Sequence, residues 1–154
     1  MIRQLMISIV ILLNVINGYK INDLDGFQIF PVSQMISSNS EPVDITAELG
    51  MNIAIKIRAN PTTGYSVYLK NSVADLEKSN IVTPLNLNNK GGSSDYIVDP
   101  HPIGMVGVPG YYYFKFKTKS VGEIKLNFVH MRIWDPTDAA TLKVNLSVVQ
   151  GKIK

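Results

Sequence analysis

Apolar and polar residues alternate with a period of two along much of this chain. Over residues 51–58, Met51, Ile53, Ile55 and Ile57 are apolar, while Asn52, Lys56 and Arg58 are polar. A stretch of this kind buries one face and wets the other, as a half-buried β-strand does. Tyr65, Val67 and Leu69 repeat the pattern, and Tyr112, Phe114 and Phe116 set it against Lys115, Lys117 and Lys119. Ile124, Leu126 and Phe128 alternate with Glu123, Lys125 and Asn127, and Leu142, Val144, Leu146 and Val148 with Thr141, Lys143, Asn145 and Ser147. Weaker strand signals lie over residues 43–49, 81–87 and 93–98. The polar stretch 19–42 reads as an irregular lead-in holding one edge strand near 27–32. Residues 72–78 predict a short helix, with Ser72 as N-cap and Asp75 reaching back to it. The tight connection 120–122 predicts a hairpin between its flanking strands. Short strands at regular intervals, without a long helical pattern, predict an all-β fold: an antiparallel β-sandwich of seven or eight strands.

Three connections differ from ordinary solvent turns. Asn60, Pro61, Thr62, Thr63, Gly64 and Tyr65 form the first. Pro61 fixes its own φ and pushes Asn60 toward extended geometry. Gly64 accepts positive φ, and Thr62 and Thr63 are stiff at χ1. Both a routine turn and a rigid projecting loop satisfy these residues. The second, 104–110, carries Met105, Val106 and Val108 between three glycines and Pro109. Its apolar side chains either form a contact surface or fold back into the core. The third, 131–136, holds the single tryptophan, Trp134, beside Ile133 and Arg132. Trp and Arg are enriched in binding hot spots, but a sandwich core also takes a Trp. In a simple antiparallel order all three loops fall at one end of the sandwich, where loops on a rigid scaffold make a binding surface.

Length and composition narrow the function classes. The chain has 154 residues, which suits one domain. Its 15 basic and 12 acidic side chains give a net charge of +3 without a basic block. Nucleic acid, which calls for a dense basic stripe with aromatics to stack on, is not an expected partner. Cysteine is absent, which removes disulfides, thiolate metal sites and a thiol nucleophile together. Residues 1–18 combine Arg3, an apolar stretch over 5–16 and Gly18. That stretch is shorter than the roughly 20 residues of a membrane span and reads as a secretory signal peptide. The expected organisation is a signal peptide over 1–18, a lead-in over 19–42 and one domain over 43–154. No membrane attachment is expected after cleavage. The expected location is the secretory pathway, ending outside the cell or in the lumen of lysosome-like or phagosomal vesicles.

The three loops, in this order, resemble those of the chagasin-like protein inhibitors of papain-type cysteine peptidases. That family's pattern is an Asn-Pro-Thr-Thr-Gly-aromatic loop, a Gly-X-Gly-Gly loop and an Arg-Pro-Trp (or Phe) loop. The first stands complete as Asn60 to Tyr65. The second stands as Gly107, Val108, Pro109 and Gly110, with Pro109 at a family glycine. The third stands as Arg132, Ile133 and Trp134, with Ile133 at a family proline. The resemblance spans roughly residues 43–149. It implies an immunoglobulin-like sandwich that acts without cofactor, metal or covalent chemistry, as a reversible inhibitor. Its implied partners are papain-like, cathepsin-L-like peptidases. It also implies that Thr62, Thr63 and Gly64 sit over the catalytic Cys–His pair and that the other two loops grip the cleft on either side; a loop-end inhibitor needs no partner subunit, so a monomer is expected.

Two rival classes remain open on the sequence. A secreted adhesion or carbohydrate-binding sandwich would use the same loop end, stacking sugar on Tyr111 or Trp134. An enzyme would draw on His101 and His130 with Asp95, Asp99, Asp135 and Asp138, although no HExxH, GxSxG or EF-hand spacing is present. Asp135 and Asp138 also offer oxygens to calcium, with nothing else in support. Asn145-Leu146-Ser147 is an N-glycosylation sequon on a face expected to be wet.

Overall fold

Two β-sheets face each other across one apolar core in the computed structural model of the chain, which describes residues 24–32 and 35–152. The signal peptide expected over 1–18 lies outside the described residues. The strands are β1 (Phe27–Val32), β2 (Val43–Glu48), β3 (Asn52–Ala59), β4 (Ser66–Leu69), β5 (Val82–Pro84), β6 (Tyr96–Val98), β7 (Gly110–Thr118), β8 (Gly122–Arg132) and β9 (Asp135–Val149). One helix, α1 (Val73–Ser79), joins β4 to β5. Ser72 caps it as expected, its hydroxyl accepting the Asp75 N–H at 3.1 Å. Among the described residues, no helix is long and apolar enough to cross a membrane.

One sheet runs β1-β3-β7-β5, with β6 also on β7, and the other runs β2-β9-β8-β4. The alternation explains what lies between them. Ile53, Ile55 and Ile57 of β3, Phe114 and Phe116 of β7, Leu126 and Phe128 of β8, and Val144 and Leu146 of β9 are fully buried. Phe114 and Phe128 meet edge to face across the core at 4.8 Å, a preferred aromatic geometry. Without disulfides, this packing and the ladders hold the fold.

The sandwich is as expected, but three features are not. There are nine strands among the described residues and not seven or eight, because each weaker signal, near 27–32, 43–49, 81–87 and 93–98, forms a strand of its own beside the five clean ones. β1 pairs parallel with β3 and β2 parallel with β9, so the fold is not purely antiparallel. The hairpin expected at 120–122 is absent: β7 and β8 lie in different sheets, and the connection carries the chain across the sandwich. Alternation marks which face of each strand is buried, and both β7 and β8 bury theirs in the shared core from opposite sides. The hairpin instead joins β8 to β9 through Ile133 and Trp134.

Lys115 departs from its expected wet face. It is buried, ion-paired to Asp95 at 2.8 Å and set against the Phe27 ring. Residues 85–95 bulge from the β7 edge between β5 and β6, where Asn86 replaces the missing ladder partner. Its amide donates to Tyr113 O at 2.7 Å and its Oδ1 accepts the Lys115 N–H at 2.9 Å.

Candidate functional site

The loop end of the sandwich is built on a tight turn. After β3, Pro61–Thr63 form a single 3₁₀ turn whose Gly64 cap has φ +86. A left-handed residue in this position favours glycine. Asn60 organises the turn from its N-terminal side: its Oδ1 accepts the Thr62 hydroxyl at 2.5 Å, and its carbonyl accepts the Thr63 hydroxyl at 2.7 Å. Thr62 and Thr63 stand exposed at the tip while Pro61 and Gly64 are half-buried. The turn is therefore rigid as well as projecting.

The second loop closes at its base, where the Asp99 N–H donates to Pro109 O at 2.9 Å and Asp99 pairs with Arg58 at 2.7 Å. That ion pair holds the Arg58 guanidinium pKa above its ordinary value. Met105 and Val106 are exposed, Val106 at 90 %, which settles their orientation as outward. Ile103, not singled out by the sequence, is the most exposed of the large apolar side chains among the described residues. Gly107 is exposed, and Val108 and Pro109 are half-buried. Gly110 lies inside the fold as the first residue of β7, not on the loop surface. A Cβ there would come within 2.3 Å of Ile97 O, so the close approach of β6 requires glycine.

The third loop is the β8–β9 hairpin tip. Ile133 and Trp134 are exposed, Trp134 at 71 %, so the tryptophan is not in the core. Between the pairs His130–Ala140 and Arg132–Asp135, β9 carries three more residues than β8. This arch brings Asp138 to the Tyr65 hydroxyl, which donates to its Oδ2. The bond raises the Tyr65 pKa. Tyr65 also stacks on the His130 ring at 5.0 Å, with the Arg132 guanidinium 4.4 Å from its centroid. His130 is half-buried and its Nε2 is buried with no hydrogen-bond partner. Burial lowers its pKa, with Asp138 acting weakly in the opposite direction.

The structure brings the three loops together. The Asn60 amide donates to Gly107 O at 3.2 Å, and Arg132 Nη2 reaches Thr63 O at 3.5 Å. The Trp134 ring lies over Gly64, where a Cβ would come within 3.0 Å of its Cζ2. Residues from all three sequence motifs thus share one surface, with Gly110 beneath it. Asp138 and His130 complete it, and no spacing in the sequence points to either.

The surface offers little chemistry. His101 is exposed and bonded through Nδ1 to Asp99 O at 2.7 Å. Asp135 accepts from Thr137, which lowers its pKa, and Asp138 from Tyr65. Among the described residues, no group of three or more His, Cys, Asp or Glu side chains is placed to hold a metal ion.

Residues 46–148 match the family described as chagasin family peptidase inhibitor I42. Amoebiasin-1 of Entamoeba histolytica is 32% identical over 114 residues, which cover 72% of this chain and 97% of that protein. The crystal structure of the cysteine protease inhibitor EhICP2 from Entamoeba histolytica shares the fold at a TM-score of 0.54 and 19% identity, over 80% of this chain and 96% of that one. PbICP-C, solved in complex with falcipain-2, does so at a TM-score of 0.54 and 14% identity, over 79% and 99%.

Proposed function

The chain belongs to the chagasin family of peptidase inhibitors and is an inhibitor of cysteine peptidases rather than an enzyme; we propose that it plugs the cleft of papain-type peptidases, reversibly and without covalent chemistry, with the three joined loops. The observation that carries this reading is the mutual bracing of the loops, Asn60 to Gly107 and Trp134 over Gly64, beneath an exposed surface. A Cys–His pair attacks a carbonyl presented at bonding distance. A 3₁₀ turn closed by Gly64 N–H to Pro61 O at 2.9 Å is not the extended chain that such a cleft cleaves. Thr62, Thr63 and Gly64 enter over the catalytic pair, while Val106 and Trp134 lie against the two walls. Loops already held in their bound shape lose little entropy on association.

Cathepsin-L-like enzymes are the expected targets. The inhibitor acts as a monomer, since one loop end makes the whole contact. The leader pattern of residues 1–18 supports a secretory route, to the outside or to a lysosome-like lumen. The test is inhibition of papain and a cathepsin-L-like peptidase by the purified chain, read with a fluorogenic peptide. Tight, reversible inhibition with the inhibitor recovered intact is the expected result. A folded sample that inhibits none of several papain-type enzymes refutes the reading.

A further inference from the structure

Gly64 poses a mechanical problem for the wedge. A glycine at φ +86 has no side chain to hold its conformation, and it sits at the wedge's C-terminal end. The N-terminal end is secured by Asn60, through both threonine hydroxyls and Gly107. The other end needs a comparable anchor, and the next residue, Tyr65, has one. Its hydroxyl is held by Asp138, its ring by His130, and the Arg132 guanidinium lies over it.

Two further features fit this clamp. β9 gives up regular pairing over residues 136–139 to arch, and the arch delivers the Asp138 carboxylate to Tyr65. His130 keeps a buried Nε2 without a partner, a costly arrangement for a polar atom. The imidazole meets Tyr65 with its face, and its Nε2 makes no hydrogen bond.

We infer that Asp138 and His130 are positioning residues for inhibition: they clamp Tyr65 to the β8–β9 hairpin and so fix the Thr62–Thr63–Gly64 wedge and Trp134 in one rigid body. Neither has to touch the peptidase. This rests on the proposal that the three loops make the contact.

The test is a double-mutant cycle on inhibition of papain by the full chain, with melting temperature measured alongside. Tyr65→Phe and Asp138→Ala are each expected to raise the inhibition constant about ten-fold, the scale of one lost hydrogen bond to a charged group. The double variant is expected to stay near ten-fold, because the two residues share one bond. Asp138→Asn, which keeps an acceptor oxygen, is expected to restore inhibition to within about three-fold of wild type. His130→Ala weakens inhibition, and His130→Phe, which retains a ring to stack, recovers it. Trp134 is the only tryptophan, so its fluorescence anisotropy reads the loop directly and falls when the clamp is broken. Should Asp138→Ala melt early, Asp138→Leu, which fills a similar volume without an acceptor oxygen, takes its place in the cycle. An unaltered inhibition constant in Tyr65→Phe, with normal wild-type inhibition, overturns the clamp alone. Effects of Tyr65→Phe and Asp138→Ala that multiply to about a hundred-fold overturn it too, because Asp138 then acts independently of Tyr65. A wild-type chain that inhibits no papain-type enzyme overturns the three-loop contact and the clamp with it.

Discussion

Replacing Trp134 by alanine tests the loop surface most directly. A tryptophan presents up to about 250 Å², so at 71 % exposure Trp134 offers a partner about 180 Å². Complete burial at about 25 cal/mol per Å² is worth about 4.5 kcal/mol. The alanine retains a small part of that area, and holding the side chain still on binding costs about 0.5–1.5 kcal/mol. A net loss of about 3 kcal/mol remains, which raises the inhibition constant about 100- to 200-fold. The cost to folding is small, since a ring that is 71 % exposed and lies over Gly64 gives up little buried area, and stays within about 1 kcal/mol. The assay is competitive inhibition of papain with a fluorogenic peptide, beside thermal melting of the same samples. An inhibition constant within about three-fold of wild type in a variant that melts normally would falsify the anchor role.

Three further outcomes follow from the same geometry. Gly64→Ala forces a side chain into φ +86 and against the Trp134 ring at 3.0 Å; stability falls by about 1–2 kcal/mol and inhibition by at least about ten-fold, whereas a variant that melts early yet inhibits normally makes the glycine a folding requirement only. His130→Phe reads the acid response. The folded chain holds His130 below its ordinary pKa of 6.5, so the unfolded chain takes up the proton more readily, and the stability of the neutral form, complete above about pH 6.5, is lost as pH falls through the folded value. Wild type therefore loses melting temperature between pH 7 and pH 5 more steeply than His130→Phe, with Tyr65, Asp138 and Arg132 unchanged around the ring, and parallel curves dismiss the effect. Asn60→Ala removes the acceptor of the Thr62 hydroxyl and the tie to Gly107; intact-mass spectra are expected to show slow cleavage near residues 60–65 during incubation with papain, and an uncleaved variant argues that the turn holds its shape unaided.

The sequence exposes those parts of the fold that depend on solvent contrast. β3, β8 and β9 alternate cleanly because one face of each meets the core and the other meets water, and even the β1 edge strand is visible over 27–32. Alternation says nothing about which sheet a strand joins. The connection at 120–122 therefore reads as a hairpin, although it crosses between sheets. Lys115 is misread for a related reason: its outward face is covered by a distant segment carrying Asp95, and Phe27 lies two strands away. Trp134 is ambiguous in sequence because core and contact surface favour the same residue type, and only its place at a two-residue hairpin tip decides for exposure. Asp138 and His130 leave no local trace, since the clamp depends on a β9 arch that no residue spacing announces.

In the proposed contact, resistance to cleavage and tight binding have one physical origin in this loop end. A peptidase cleaves a chain that it can draw into extended form with a carbonyl facing its nucleophile. In the wedge, Asn60 O is engaged by the Thr63 N–H and hydroxyl, and Pro61 O by the Gly64 N–H. Extending the turn would break those bonds, part the Asn60 amide from Gly107 and lift the Trp134 ring from Gly64. Each of these ties is weak alone, at about 0.5–1.5 kcal/mol for a hydrogen bond, but they must fail together, because each fixes the same few residues. The cooperativity that keeps the wedge from becoming a substrate also spares it the entropy of ordering when it enters a cleft. A loop with the same residues and no ties would present the same atoms, yet it would bind more weakly and be cut.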